Sequence, residues 1–196
     1  MLSSQTKSNK IEFGNCNKEL LEEIIFYGLS LGADFVEIFI ENIDNSSLLA
    51  EEDFITSVNP SFGRGAGIRI FKDKKDGFVS TNDLSKHGLI RSVSQAIEML
   101  DISDKKNNVA FSGLDKLRDY GSSKKSWKDE IPSIHEISEK LILSTIALKK
   151  SDKIVVRKGS YSRNLQEVII AASDSTYATD IRLHQTVGLN VIANDA

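Results

Sequence analysis

The chain has 196 residues, enough for one domain or two small ones, and its 40% hydrophobic and 27% charged residues are ordinary globular proportions. A net charge of −3 and a pI near 5.7 give no basic footprint for direct nucleic-acid binding. The single cysteine, Cys16, excludes an internal disulfide and a cysteine-rich metal site, and no run approaches the roughly 20 apolar residues of a membrane-spanning helix.

These traits, with no apolar signal core at the N-terminus, lead us to expect a soluble, untargeted protein of the reducing cytoplasm, not associated with a membrane. Residues 1–10 are polar and read as a disordered tail. Asn17 is placed to cap a helix whose apolar residues Leu20, Leu21, Ile24, Ile25 and Leu29 share one face, and Gly32 supplies the stop. Residues 35–40 read as a strand, Asp44-Asn45-Ser46-Ser47 as a polar turn, and Leu48-Leu49-Ala50 as the return. Residues 54–58 read as a short strand ended by Asn59-Pro60, since proline cannot donate to a central ladder.

The segment "GRGAGIRIFKDKKDGFVS", residues 63–80, raises the possibility of a phosphate-binding loop. Gly63-Arg64-Gly65-Ala66-Gly67 has neither the G-x-G-x-x-G order nor a following Gly-Lys-Ser/Thr, and it leads into a β-favouring run instead of a helix. A tight turn or bulge entering a strand fits better. Residues 67–71 and 77–81 then form a hairpin with a charged tip. Arg64, between two glycines, and Arg69 are the candidate peptide or partner contacts.

Asp83 or Ser85 caps a second helix carrying Leu89, Ile90, Val93, Ala96, Ile97 and Leu100 on one stripe. Residues 101–131 lose periodicity and read as a polar linker, with Trp127 pinning it to the surface. A third helix is expected over residues 133–150, followed by strand-like runs at 154–157, 167–172, 177–183 and 187–193. "VGLNVIAND" near the end echoes "AGIRIFKD" at residues 66–73, which hints at duplication. The expected fold is therefore α+β: a first helix-plus-antiparallel-strand unit over 11–100, the linker over 101–131 and a second unit over 132–196, with helices packed on the sheets. The stop after a strand at Ala196 suggests a truncated chain.

His135-Glu136 begins like a zinc-protease helix, but Glu139 and Lys140 stand where the second imidazole is required. Ser133-x-x-Glu136 is instead a capping box. His87 and His184 belong to no ligand spacing, Cys16 has no neighbouring histidine to activate it, and Glu51-Glu52-Asp53 lacks the alternation of a calcium loop and reads as a solvated turn. No catalytic, cofactor-binding or metal-binding residue is therefore assigned.

The ordered patches "LGADFVEIFIE" (31–41), "GRGAGIRIF" (63–71), "GFVSTNDLS" (77–85) and "SDSTYATDIRL" (173–183) resemble the N-terminal region of the TldD/PmbA family. Ser175 stands where that family commonly has glycine. The resemblance implies metallopeptidases acting on unstructured peptides, some named modulators of DNA gyrase, together with partner subunits lacking the metal. It implies an H-E-x-x-x-H zinc motif downstream of this region; no such motif occurs in the 196 residues. The expectation is a non-catalytic scaffold that shapes a peptide channel, with zinc in a missing C-terminal part and a homo- or heterodimer partner of the same family. The alternative is a PmbA-like partner or client-binding protein without chemistry.

Overall fold

The computed structural model describes residues 16–100, 118–122 and 131–194. Three helices, α1 (Lys18–Ser30), α2 (Lys86–Met99) and α3 (Ile134–Ala147), accompany strands β1 (Phe35–Glu51), β2 (Phe54–Lys72), β3 (Lys75–Thr81), β4 (Arg118–Ser122), β5 (Ile154–Ala172) and β6 (Thr176–Ala193). The strand order is β3-β2-β1-β5-β6-β4. The first five are antiparallel, and β4 joins β6 in parallel from the Arg118↔Thr176 pair. This is the expected α+β class.

The helix starts follow from local chemistry. Asn17 Oδ1 accepts from Leu20 N (2.9 Å) at α1, and Ser85 Oγ accepts from Gly88 N (3.1 Å) at α2. At α3 the Ser133 hydroxyl accepts from Glu136 N, and the Glu136 carboxylate accepts from Ser133 N, so both orphan donors are satisfied. Gly32 ends α1 in the left-handed region at φ 100. The third helix stops at Ala147, short of the expected residue 150.

The strands depart most from expectation. The supposed turn at residues 44–47 is the middle of β1, and β2 continues through Asn59-Pro60 and the whole glycine run. Likewise 154–157 and 167–172 are one strand, as are 177–183 and 187–193. Proline is tolerated because β3 pairs with β2 only as far as Ala66↔Thr81, so residues 54–65 of β2 lie beyond its last pair. No glycine of the run has positive φ, which removes the tight-turn reading. Inward positions nevertheless change from odd (Ile55) to even (Ala66, Ile68, Ile70) along β2, while β1 keeps its even set from Val36 to Ala50. The region read as a linker contains β4; Trp127 lies outside the described residues.

Two compact units result, and they interleave along the chain. The described residues fall within Met1–Asn42, Arg64–Lys125 and Glu167–Asp180 for the first, and within Ile43–Gly63, Ser126–Gln166 and Ile181–Ala196 for the second. In the first, α1 and α2 bury Leu21, Ile24, Leu89 and Val93 against Val36, Ile38, Ile68 and Ile70, all fully or almost fully buried. In the second, Ile137 and Leu141 of α3 meet Leu48, Ala50 and Tyr161.

The Gly-Ala-Asp end of α1 has a structural explanation. Ala33 is buried, and Asp34 reaches the β2–β3 turn, accepting from Lys72 Nζ and Asp73 N at 2.8 Å each. Asp73 itself sits at φ 52, so Asp34 fixes a strained two-residue turn. At the β5–β6 turn, Ser175 has φ 76. Left-handed backbone costs a non-glycine residue about 1–2 kcal/mol, offset in part by the greater unfolded-state freedom of glycine. Ser175→Gly should therefore raise stability by about 0.5–1 kcal/mol in urea denaturation. A lower midpoint would contradict that assignment of strain.

Candidate functional site

The glycine run floors a groove of 610 Å3 in the first unit, edged by Phe39 of β1 and by Phe78 and Ser80 of β3. The strands explain its shape. Side chains alternate across a sheet, so Ala66, Ile68 and Ile70 of β2 enter the core while Gly65, Gly67 and Arg69 share the other face. A Cβ at Gly67 would stand 3.0 Å from the Phe78 ring, and one at Gly65 would stand 3.0 Å from the Thr81 carbonyl. Glycine thus permits close approach between β2 and β3, and the ring covers the space that the missing side chain leaves. The run's backbone belongs to a sheet ladder, with Gly67 opposite Ser80, and forms no phosphate cradle.

The two arginines singled out from sequence are not brought together. Arg64 and Arg69 are five residues apart on one strand, and of the two Arg64 borders the groove. Arg69 donates to Asp76 Oδ2 from Nε (3.2 Å) and Nη2 (3.0 Å) and lies 4.8 Å over the Phe71 ring. Arg64 lines the groove, exposed. Its charge also favours the thiolate of Cys16, but burial outweighs it and pushes that thiol above its ordinary value. Cys16 Sγ donates to the Leu84 carbonyl at 3.2 Å, as a buried structural thiol does.

The remaining candidates resolve into local structure. His135 is exposed, 3.4 Å from Glu139, and Glu136 is occupied by its cap, whose bonds hold the carboxyl below the usual range. His87 is exposed on α2, and His184 lies on β6. Glu52, at φ 59 in the β1–β2 turn, binds Arg157 through its carboxylate, and Glu51 faces Lys158 at 3.5 Å. These acids pair with bases and do not converge on a cation. Among the described residues no group of three His, Cys, Asp or Glu side chains could hold a metal ion. The donor set that zinc requires does not fit any position described, and no reaction step is assigned to these residues.

Sequence reasoning missed Phe39, Phe78 and Ser80, which reach the groove through strand pairing rather than spacing. The alternation of the three glycines was the one usable signal.

Two family models match: the PmbA/TldA metallopeptidase domain 1 over residues 36–100, and the PmbA/TldA metallopeptidase central domain over residues 127–196. The chain belongs to the PmbA/TldD family. TldE from Thermococcus kodakarensis has the same fold with TM-score 0.70 at 17% identity, over 90% of this chain and 40% of that one. A proposed modulator of DNA gyrase from Bacteroides thetaiotaomicron matches with TM-score 0.68 at 16% identity, over 91% of this chain and 41% of that one. Another from Thermotoga maritima matches with TM-score 0.68 at 15% identity, over 91% and 40%. The chain spans about two fifths of the length of these structures. Comparison with curated proteins finds no match. No helix among the described residues is long and apolar enough to cross a membrane.

Proposed function

We propose that this PmbA/TldD chain is the non-catalytic scaffold and peptide-channel portion of a cytoplasmic, TldD-like zinc metallopeptidase that acts on unstructured peptides. The observation that carries the reading is the matched pair, domain 1 and central domain, of a metallopeptidase family. In this reading zinc is held by a C-terminal part outside the chain, and a subunit of the same family completes a homo- or heterodimer. Strand backbone supports the role physically. Residues 54–65 of β2 lie beyond the end of β3 pairing, and an extended peptide gains main-chain hydrogen bonds from such an edge.

The test is to incubate the 196-residue chain with zinc and a fluorescent unfolded peptide. Binding without cleavage is expected; robust cleavage would place catalysis here and overturn the scaffold assignment. A natural continuation lacking H-E-x-x-x-H would assign the chain to the PmbA-like partner branch instead.

A further inference from the structure

β6 lies between β5 and β4, but its last pair with β4 is Ser122↔Thr179. Among the described residues no strand pairs with residues 183–193 on that side. This stretch, in the second unit, is "LHQTVGLNVIA", and its one ionisable side chain is His184. Natural proteins blunt a free strand edge with charge, proline or a covering element, because its unpaired N–H and C=O groups invite another strand. Neither lysine nor proline stands here.

The side chains of this edge are apolar and open to solvent. Val187, Leu189, Val191 and Ile192 are 64%, 44%, 48% and 55% exposed. Three of them share a face. Tyr161 of β5 belongs to the α3 core, and its hydroxyl donates to Gln185 Oε1 at 3.3 Å. Its neighbour Ser160 therefore points the other way, and a Cβ at Gly188 would stand 2.7 Å from Ser160 Oγ. Gln185 and Gly188 thus lie on opposite faces, and alternation puts Val187, Leu189 and Val191 on the side that carries α3. Their exposure shows that α3 leaves them uncovered.

The order of these residues narrows the occupant. Val187-Gly188-Leu189-Asn190-Val191 has the same apolar pattern read in either direction. A two-fold axis through Leu189 sets Val187 opposite Val191 of a second copy, and Leu189 opposite itself, on one face of an antiparallel pair. An isologous contact demands such self-complementarity, and a stretch without carboxylates, lysine or arginine brings no like charges together.

We propose that residues 183–193 of β6 pair antiparallel with the same residues of a second copy of this chain, on a two-fold axis through Leu189. The inference rests on the reading above that the protein assembles with a subunit of its own family, and it assigns that contact to one strand. It leaves the β2 edge free for peptide.

The test is sedimentation of the 196-residue chain between about 1 and about 100 µM. A contact confined to one strand per subunit is small for an obligate dimer, so the mass should rise from monomer to dimer across that range. Leu189→Lys and Leu189→Glu each set like charges opposite one another on the axis and should weaken association about tenfold. A one-to-one mixture of the two should dimerise like wild type, since an ammonium then faces a carboxylate. Both variants should keep the wild-type midpoint in urea, because Leu189 is 44% exposed, and Met99→Lys, at a 66% exposed position on α2, should dimerise as wild type does. A wild-type chain that stays monomeric throughout overturns the contact together with the homodimer, and leaves the scaffold reading standing. A dimer indifferent to both charges overturns the β6 contact alone and leaves family assembly standing. Dissociation of Met99→Lys, or no recovery in the mixture, marks non-specific adhesion and overturns the contact.

Discussion

Gly77→Ala is expected to lower stability by about 1–3 kcal/mol, although alanine is intrinsically the better strand residue by about 0.5–1 kcal/mol. A Cβ at this position in β3 would stand 2.5 Å from the Ala96 carbonyl oxygen of α2 and 3.2 Å from Leu100 Cγ. The first of these is backbone, so no rotamer change relieves it. The helix must move, and it carries Leu89 and Val93, both fully buried, out of contact with the sheet. Gly63→Ala is the control: its Cβ would meet only Ile43 Cβ, at 3.9 Å. That variant should keep or slightly raise the wild-type midpoint in urea. If Gly77→Ala were as stable as Gly63→Ala, the proposed intimacy between β3 and α2 would be wrong.

Acid is expected to destabilise the protein as the pH falls below the ordinary carboxylate values, about 4.3 for Glu and 3.9 for Asp. Four carboxyls are held below those values in the folded state. Glu52 is lowered by the side-chain bond from Arg157 and then by the Arg157 backbone N–H. Asp34 is lowered by Lys72 and the Asp73 N–H, Asp83 by the Ser85 hydroxyl and N–H, and Glu136 by its cap on Ser133. A depressed folded pKa means that the unfolded chain takes up protons first. The stabilising contribution is complete above the ordinary pKa values and is lost as pH falls through the folded ones. Glu52 matters most, because its partner Arg157 is buried, with a side chain 11% exposed. Neutralising the acid leaves that guanidinium with the Thr145 carbonyl, 3.4 Å away, and no counter-charge from Glu52.

Glu52→Gln imitates the protonated state at every pH. It should therefore be less stable than wild type at pH 7, with a flatter loss of stability between pH 5 and pH 3. Equal slopes for the two proteins would remove Glu52 from the account.

The helices were legible because their ends are written in short-range chemistry. Asn17, Ser85 and the Ser133/Glu136 box each satisfy donors within three residues, so local sequence suffices. The strands were divided wrongly for a related reason. Asn45-Ser46-Ser47, Asn59-Pro60 and His184-Gln185-Thr186 have turn-like composition, yet they lie within strands that continue on both sides. Polar residues on a poorly covered stretch of sheet look like a turn when only neighbours in sequence are considered. The turn at Glu51-Glu52-Asp53 was legible from its run of charge, although Glu52, like Ser175, holds a left-handed backbone without glycine or asparagine. Candidate sites depend on pairing over long separations. Arg163 meets Asp44 across 119 residues, and no spacing rule joins them.

The interleaving of the two units also bears on inheritance. β1, β2, β5 and β6 each change unit part-way along. No single contiguous segment encodes either unit, so one recombination event within this stretch could not replace one unit and spare the other. Duplication, shuffling or grafting must respect the block as a whole.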